Sequence, residues 1–193
     1  MIREYTEKDL QEAVLLKTNY QDFNFDEVEA GFLLHSAITS NRPIEVIQLL
    51  LDSDIEKKTI LEKDDRGYLP IHYACFLIAP VEVIQLLLDS DSDKRTILQK
   101  DDYGQLPIHL ACNKDAHVEM IRVFLDNDTT KESIFEKDDG GRLPIHCACL
   151  LNAYVEVIQL LLDRTLTRER SWRRTIMDSC PFIRLVQAMH LWR

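Results

Sequence analysis

The sequence repeats the stretch Leu69-Pro70-Ile71-His72-Tyr73-Ala74-Cys75 at a fixed interval. The pattern returns as Leu106-Pro107-Ile108-His109-Leu110-Ala111-Cys112 and as Leu143-Pro144-Ile145-His146-Cys147-Ala148-Cys149, a step of 37 residues each time. A second string, VIQLLLD at 46–52, recurs at 83–89 and 157–163, and the related MIRVFLD stands at 120–126, again in steps of 37 residues. Because one such unit cannot bury its apolar face without a neighbour, four copies predict a stack of repeats.

The first half of a unit is predicted to be a turn followed by a short helix. Asp65 and Gly67 have turn chemistry, with the Asp side chain bonding its own backbone and Gly supplying a positive φ. Pro70 suits the first position of a helix, where its missing N–H is not needed, and a helix is predicted from Ile71 to about Leu77.

The second half of the unit is predicted to be another short helix and a loop. Pro80 restarts a helix, with Glu82 in the first turn, where a negative charge is favourable. The run 83–88 is apolar on most of the helix surface, which is typical of a helix packed between others. Residues 89–96 are polar and are predicted to form a loop that ends the unit.

This order of elements resembles the ankyrin repeat, over roughly residues 31–163. The resemblance rests on Asp-x-x-Gly-x-Leu-Pro-Ile-His-x-Ala-Cys, followed by Val-Glu-Val-Ile-Gln-Leu-Leu-Leu. It implies an all-α fold, an ankyrin-repeat solenoid of stacked helix-turn-helix units with N- and C-terminal capping helices. The period differs, 37 residues against the family's usual 33 or so, and Leu69, Leu106 and Leu143 stand where the family has a Thr whose hydroxyl partners the His.

Four repeats are expected between two terminal segments. Residues 1–27 form an N-terminal capping segment, and residues 171–193 form a C-terminal capping helix or a basic tail. The repeats occupy 28–170, divided as 28–64, 65–101, 102–138 and 139–170.

The charge is unevenly distributed along the chain. The 193 residues carry a net charge of −10. Residues 164–193 hold seven Arg against Glu169 and Asp178, which gives +5, so the first 163 residues carry about −15. An acidic body argues against wrapping nucleic acid, since a polyanion is bound through Lys and Arg.

Membrane insertion and secretion are not expected. The longest apolar runs fall well short of the 18 residues of a membrane span, and residues 1–20 lack the basic and apolar regions of a secretory signal. Cys75, Cys112 and Cys149 occupy one position in successive repeats, which indicates packing. An odd cysteine count favours a reducing compartment, so we expect an intracellular, cytoplasmic protein.

Catalytic and metal-binding interpretations are weak. The histidines His35, His72, His109 and His146 lie one to a repeat, about 8–10 Å apart in stacked helices, too far to share a zinc ion. The acidic run 89–93 imitates a calcium loop, but Lys94 and Lys100 stand where that loop needs Gly and Glu. Cys147 and Cys149 with His146 suggest a thiol nucleophile, yet Cys149 holds the packing position and Cys147 lies in the same helix turn. We expect no enzyme activity, no cofactor and no metal.

The resemblance implies that the chain is a scaffold that binds another protein, through the turn tips and the exposed face of each first helix. These are also the positions at which the repeats differ most. Phe76, Leu77, Leu150 and Leu151 have an alternative role, packing on the next repeat. The predicted partner-binding residues are Asp65, Arg66, Tyr68, Phe76 and Leu77 in repeat two, Asp102, Tyr103, Gln105, Asn113 and Lys114 in repeat three, and Asp139, Gly140, Arg142, Leu150 and Leu151 in repeat four.

The Arg-rich segment 165–174 leaves two interpretations open. It is either a basic patch for an acidic partner or nucleic acid, or a charged connector leading to a capping helix in which Phe182, Leu185, Val186 and Met189 share one face. A third possibility is that the chain is a substrate-recruiting piece of a larger enzyme. Binding of another protein by a monomer is the function we expect.

Overall fold

The computed structural model describes residues 30–54, 58–112, 117–151 and 153–166. All regular structure in these ranges is helical, with no strand. The chain divides into two compact units, Met1–Ser92 and Asp93–Arg193. The predicted capping segments, 1–27 and 171–193, lie outside the described residues.

The first unit contains two pairs of helices. They are α1 (Ala30–Thr39), α2 (Ile44–Ser53), α3 (Pro70–Phe76) and α4 (Val81–Ser90), with a 3-10 helix at Thr59–Leu61 between the pairs. Helix α1 packs on α2 and α3, α2 packs on α4, and α3 packs on α4. Each first helix and each second helix therefore lies beside its counterpart in the neighbouring repeat.

The second unit repeats this arrangement. It contains a 3-10 helix at Arg95–Leu98, followed by α5 (Pro107–Ala111), α6 (Val118–Asn127), α7 (Pro144–Leu150) and α8 (Val155–Leu166). Helix α5 packs on α6 and α7, while α8 packs on α6 and α7. No helix in the described part of the chain is long and apolar enough to cross a membrane.

Proline sets the start of the first helices. Pro70, Pro107 and Pro144 are the first residues of α3, α5 and α7. Each follows a completely buried Leu in extended conformation, as expected before proline. The small residues Ala74, Ala111 and Ala148 are also completely buried, and they let adjacent first helices approach closely.

The segment between repeats is more ordered than the predicted polar loop. In repeats one to three a buried isoleucine, Ile60, Ile97 or Ile134, enters the core at the same position. The first two lie in the 3-10 helices and the third in the turn 133–135. The loop therefore contributes to the apolar core, which the sequence interpretation missed.

An aspartate side chain accepts hydrogen bonds within two of these loops, half-buried Asp54 in the first and buried Asp128 in the other. Asp54 Oδ2 accepts hydrogen bonds from the N–H and the hydroxyl of Thr59, both at 2.7 Å. Asp128 accepts from the N–H of Lys131 and of Ser133 at 2.9 Å, and from the hydroxyl of Thr130 at 2.7 Å. Burial acts to raise the pKa of Asp128, but these bonds outweigh it and the pKa is lowered. The residues beyond a usual ankyrin period therefore belong to a closed loop.

Candidate binding surface

The turn that precedes each first helix, which we call the turn tip (64–68, 101–105 and 138–142), is held by the aspartate at its start. Asp64 Oδ1 accepts hydrogen bonds from the N–H of Arg66 at 2.9 Å and of Tyr68 at 2.8 Å. Asp101 Oδ1 accepts in the same way from Tyr103 and Gln105, both at 2.8 Å. The prediction that Asp65 makes these bonds was wrong, since each tip carries two adjacent aspartates and the first one turns inward. Asp65 itself is exposed.

The tip of repeat four adds an ion pair to this pattern. Asp138 accepts from the Arg142 N–H at 2.7 Å and from its Nε at 2.7 Å, and the second guanidinium contact is also 2.7 Å. Burial acts to raise the pKa of Asp138, but the Arg142 N–H and guanidinium outweigh it and lower the pKa. The predicted contact residue Arg142 is thus held in one orientation with its side chain 48% exposed.

In the second unit the two tips are joined directly. The N–H of Asp139 donates to the carbonyl of Tyr103 at 3.1 Å. Gly104, at φ +71°, lies so close that a Cβ there would stand 2.3 Å from a carboxylate oxygen of Asp139. Lys100 Nζ bridges further, donating to the Lys137 carbonyl at 3.1 Å and pairing with Glu136 at 2.9 Å. These contacts fix the spacing of the tips.

The predicted partner residues that the structure describes are largely at the surface. At the tips, Asp65, Arg66, Asp102, Asp139, Gly140 and Arg142 are exposed, Tyr103 is 56% exposed, and Tyr68 and Gln105 are half-buried. Asn113 and Lys114 lie outside the described residues.

The ends of the first helices expose large apolar side chains. Phe76 is 57% and Leu77 is 46% exposed in the first unit, and Leu150 is 64% and Leu151 is 46% exposed in the second. The alternative role predicted for these four residues was burial against the next repeat, and side chains with this exposure do not fit it. Tyr154, 55% exposed, was not predicted. It precedes the second helix at the position held by Pro80 and His117 in other repeats.

The turn between the two helices of repeat two is strained. Ile78 has φ +55°, in the left-handed region that a β-branched residue rarely adopts. The equivalent residue in repeat one is Asn41, with φ +49°, and Asn tolerates this conformation. In repeats three and four the sequence has Asp115 and Asn152 at this position. Only repeat two carries the costly residue, directly after the exposed pair Phe76 and Leu77.

The repeated histidines are structural bridges. The ring Nδ1 accepts from the N–H of the Leu three residues earlier, at 2.9 Å for His72, 3.1 Å for His109 and 3.0 Å for His146. In repeats one and three the Nε2–H donates onward, from His35 to the Tyr68 carbonyl at 2.9 Å and from His109 to the Arg142 carbonyl at 3.2 Å. A backbone N–H thus serves as partner where the family's Thr hydroxyl is missing.

These contacts favour the neutral imidazole. With Nδ1 accepting and Nε2 donating, a second ring proton would remove the bond to the Leu N–H. Burial lowers the pKa of His109 and of His146. Among the described residues there is no group of three or more His, Cys, Asp or Glu side chains placed to hold a metal ion.

The thiol next to His146 is not activated. Burial raises the pKa of Cys147 to about 11, so the thiol stays protonated at neutral pH, and thiolate is the nucleophilic form. His146 already uses Nδ1 to accept from Leu143. In the acidic run 89–93, Asp89 accepts from Gln85 at 2.7 Å and Asp91 is buried, so these carboxylates do not point to one site.

Arg164 is the described part of the Arg-rich region, and it contacts the acidic body. Its guanidinium lies 3.3 Å from Asp126, which is on α6. The segment 165–174 beyond Leu166, and the four apolar residues of the predicted C-terminal helix, lie outside the described residues.

Comparison with known families agrees with the repeated pairs of helices. Residues 81–169 match the family model for ankyrin repeats, in three copies. No curated protein matches the chain. Ankyrin repeats are generally protein–protein interaction modules and are typically non-catalytic. The predicted capping helices lie outside the described residues. The predicted ankyrin-repeat fold is confirmed: the chain carries ankyrin repeats over residues 81–169, and all regular structure of the described residues is helical.

Proposed function

We propose that the protein is a non-catalytic scaffold that binds another protein through the turn tips and the ends of the first helices. The proposal rests on one contrast: equivalent buried positions hold the same residue in each repeat, whereas equivalent exposed positions hold different residues. Leu69, Leu106 and Leu143 are identical and completely buried. Three residues before these leucines the chain has Arg66, Tyr103 and Gly140, and all three residues are exposed. The buried core positions are thus constant, while the exposed residues of the turns change from repeat to repeat.

The exposed residues are of the kinds that anchor interfaces. Aromatic and Arg side chains dominate the energetics of protein interfaces, and Phe76, Tyr103, Arg142 and Tyr154 are exposed or half-exposed. Arg142 and the repeat-four tip are held by hydrogen bonds before any partner arrives. Such preorganisation reduces the entropy lost on binding.

The apolar residues differ between repeats. At the positions of Phe76 and Leu77, repeat four has Leu150 and Leu151, whereas the sequences of repeats one and three have Thr39-Ser40 and Asn113-Lys114. Apolar anchoring is therefore assigned to repeat two in the first unit and to repeat four in the second. Polar contacts are assigned to the tips.

The test is capture of a partner with matched surface variants. A tagged full chain is used to isolate bound proteins from the native cell, beside Phe76→Ser, Tyr103→Ser and the control Leu98→Ser. Leu98 is also an exposed large apolar residue, 37% exposed, but it lies in the loop after a second helix. We expect a protein retained by the wild type and the control, and lost or weakened at least tenfold by the two surface variants.

Equal retention by all four chains would contradict the proposed surface. Capture of no protein, with nucleic acid bound in a salt-dependent manner, would favour the alternative based on the Arg-rich segment.

A further inference from the structure

The turn-tip aspartates differ in what their second carboxylate oxygen contacts. In repeat two, Asp64 Oδ2 accepts a hydrogen bond from the hydroxyl of Tyr73 at 2.7 Å. In repeat four, Asp138 Oδ2 accepts from the Nε of Arg142 and pairs with its Nη2, both at 2.7 Å. In repeat three, Asp101 Oδ2 is buried and has no hydrogen-bond partner among the described residues. Repeat three therefore lacks a side-chain donor that the other two tips possess.

The sequence explains why this donor is missing. The position of Tyr73 is held by Leu110 in repeat three, and the position of Arg142 is held by Gln105. Leu110 has no polar side-chain atom, and Gln105 donates its backbone N–H to the other oxygen, Asp101 Oδ1, at 2.8 Å. A buried acceptor without a donor is unfavourable. The tip of repeat three is therefore stabilised by any donor that reaches Asp101 Oδ2.

The charges around Asp101 favour a cationic donor. Its side chain is 6% exposed, and the exposed residues Asp102 and Asp139 lie close enough to act on it electrostatically. Burial and these two carboxylates raise the pKa of Asp101, against two backbone hydrogen bonds that lower it. The adjacent Lys100 pairs with Glu136 at 2.9 Å. A cation beside the three carboxylates supplies the missing hydrogen bond and also reduces their repulsion.

The tips of repeats three and four hold these carboxylates in place. The Asp139 N–H donates to the Tyr103 carbonyl at 3.1 Å, and the Asp139 carboxylate lies against Gly104. Asp101 Oδ1 accepts from the N–H of Tyr103 and of Gln105, which leaves Oδ2 for a further donor. Because Oδ2 is buried, a donor from outside must displace a side chain of the tip. Changes of side-chain rotamer are common when proteins bind.

We propose that Asp101 binds an arginine side chain of the partner protein, whose guanidinium donates to Asp101 Oδ2 beside Asp102 and Asp139. The chain itself contains the equivalent contact, since the Arg142 guanidinium donates to Asp138 in repeat four. A guanidinium is planar and carries five N–H donors, so it can serve more than one carboxylate oxygen. This inference rests on the proposed function, because it names a residue type that the partner contributes at the tips.

The test uses the full chain and a defined probe, the peptide acetyl-Gly-Arg-Gly-amide. Binding is followed by NMR through the amide signal of Tyr103, whose N–H donates to Asp101. The control peptide has citrulline in place of arginine, which keeps the shape and removes the charge.

Three variants of the chain complete the test. Asp101→Asn removes the carboxylate but keeps an oxygen that accepts the two backbone N–H groups. Gln105→Arg supplies a guanidinium from the chain itself, as Arg142 does in repeat four. The control Asp65→Asn removes an equal charge from the tip of repeat two, where Asp64 already has the hydroxyl of Tyr73.

We expect the dissociation constant of the arginine peptide to rise at least about tenfold in Asp101→Asn and in Gln105→Arg, as for a lost hydrogen bond to a charged group. The citrulline peptide should bind the parent chain more weakly by a similar factor. Asp65→Asn should change the constant by less than about twofold, because exposed charges contribute little.

Equal binding by the parent chain and the two site variants overturns the proposal, as does a Tyr103 signal that the arginine peptide does not shift. If Asp101→Asn loses the dispersed amide spectrum of a folded chain, Gln105→Arg is judged alone by the same criterion. The assay uses no protein from the cell. Its failure is therefore distinct from failure of the proposed function, in which Phe76→Ser and Tyr103→Ser would retain the captured partner.

Discussion

Ile78 is the residue whose backbone conformation least suits its side chain. For an L-residue the left-handed conformation costs about 1–2 kcal/mol, and Asn, with its short polar side chain, is among the few non-glycine residues that visit it routinely. We expect Ile78→Asn to raise the free energy of unfolding by up to about 1 kcal/mol, because the strain exceeds the loss of a half-buried side chain. A urea melt measures the change.

The reverse substitution is the matched control. Asn41→Ile places the unsuitable side chain in the equivalent turn of repeat one, and it should lower stability by about 1–2 kcal/mol. A loss of stability in Ile78→Asn as large as in Asn41→Ile would show that the Ile78 side chain contributes more through packing than its backbone costs.

The repeated histidines make stability depend on pH. The pKa values of His109 and His146 are lowered by burial from the usual 6.5. As the pH falls through 6.5, the unfolded chain takes up protons that the native chain does not. Their stabilisation is complete above about 6.5 and declines as the pH falls toward the native pKa values.

This prediction is checked by urea melts between pH 7.5 and 5.5. The carboxylates with lowered pKa values, Asp64, Asp128 and Asp138, titrate below this range and do not contribute. We expect the midpoint urea concentration to fall steadily with pH. A constant midpoint, or imidazole NMR signals that titrate above 6.5, would contradict neutral bridging histidines.

At the scale of elements, the loops after the second helices should be stability determinants. Asp128 accepts three hydrogen bonds within its loop. Asp128→Ala removes these acceptors and leaves the buried N–H of Ser133 without its partner, and we expect a cost of about 1–3 kcal/mol.

Asp126→Ala is the control for the loop, two residues away. Asp126 pairs with Arg164 at the surface, with its own side chain 67% exposed. Exposed ion pairs contribute about 1 kcal/mol or less. Chemical melts of the two variants should therefore differ clearly, and equal losses would mean that the Asp128 contacts do not close the loop.

The helices were predictable from the sequence, and the loops were not. Proline at the first helical position and the apolar run at 83–88 mark helix starts and buried faces by local chemistry. The buried isoleucines Ile60, Ile97 and Ile134 recur at the same step, but each belongs to a pair of apolar residues within a short polar stretch. Their burial depends on tertiary contacts that no local period reveals.

The exposure of the candidate binding residues was largely predictable, but the contacts that hold them were not. Two adjacent aspartates at each tip give no local sign of which one turns inward. Asp65 was therefore predicted to accept the hydrogen bonds that Asp64 accepts. Exposure of Phe76 and Leu150 depends on how far the next repeat reaches. The sequence alone left that open. Tyr154 was missed because its position is held by Pro80 and His117 elsewhere.

At the scale of the whole molecule, damage in one repeat should weaken its neighbour. Leu87 on α4 is 2% exposed, and α4 packs on α2 of the preceding repeat. We expect Leu87→Ala to cost about 2–5 kcal/mol. Because stability in such stacks is summed over nearest neighbours, hydrogen exchange should become faster in α2 as well as in α4.

A matched exposed position controls for the loss of a helix residue. Glu82→Ala changes the same helix at an exposed site and should cost less than about 1 kcal/mol. Faster exchange confined to α4 in Leu87→Ala would contradict coupling between the repeats, and a loss below about 1 kcal/mol would contradict burial of Leu87.

The histidine hydrogen bond that joins one repeat to the next, here called the joint, is made to a main-chain atom. The histidine of one repeat donates to the carbonyl oxygen of Tyr68 or Arg142, and every amino acid provides that oxygen. A codon change at either position therefore leaves the joint intact. Duplication of a whole 37-residue unit carries both halves of the joint with it. Such a gene can diversify its contact side chains, or lengthen by one unit, without inventing a new way to hold its parts together.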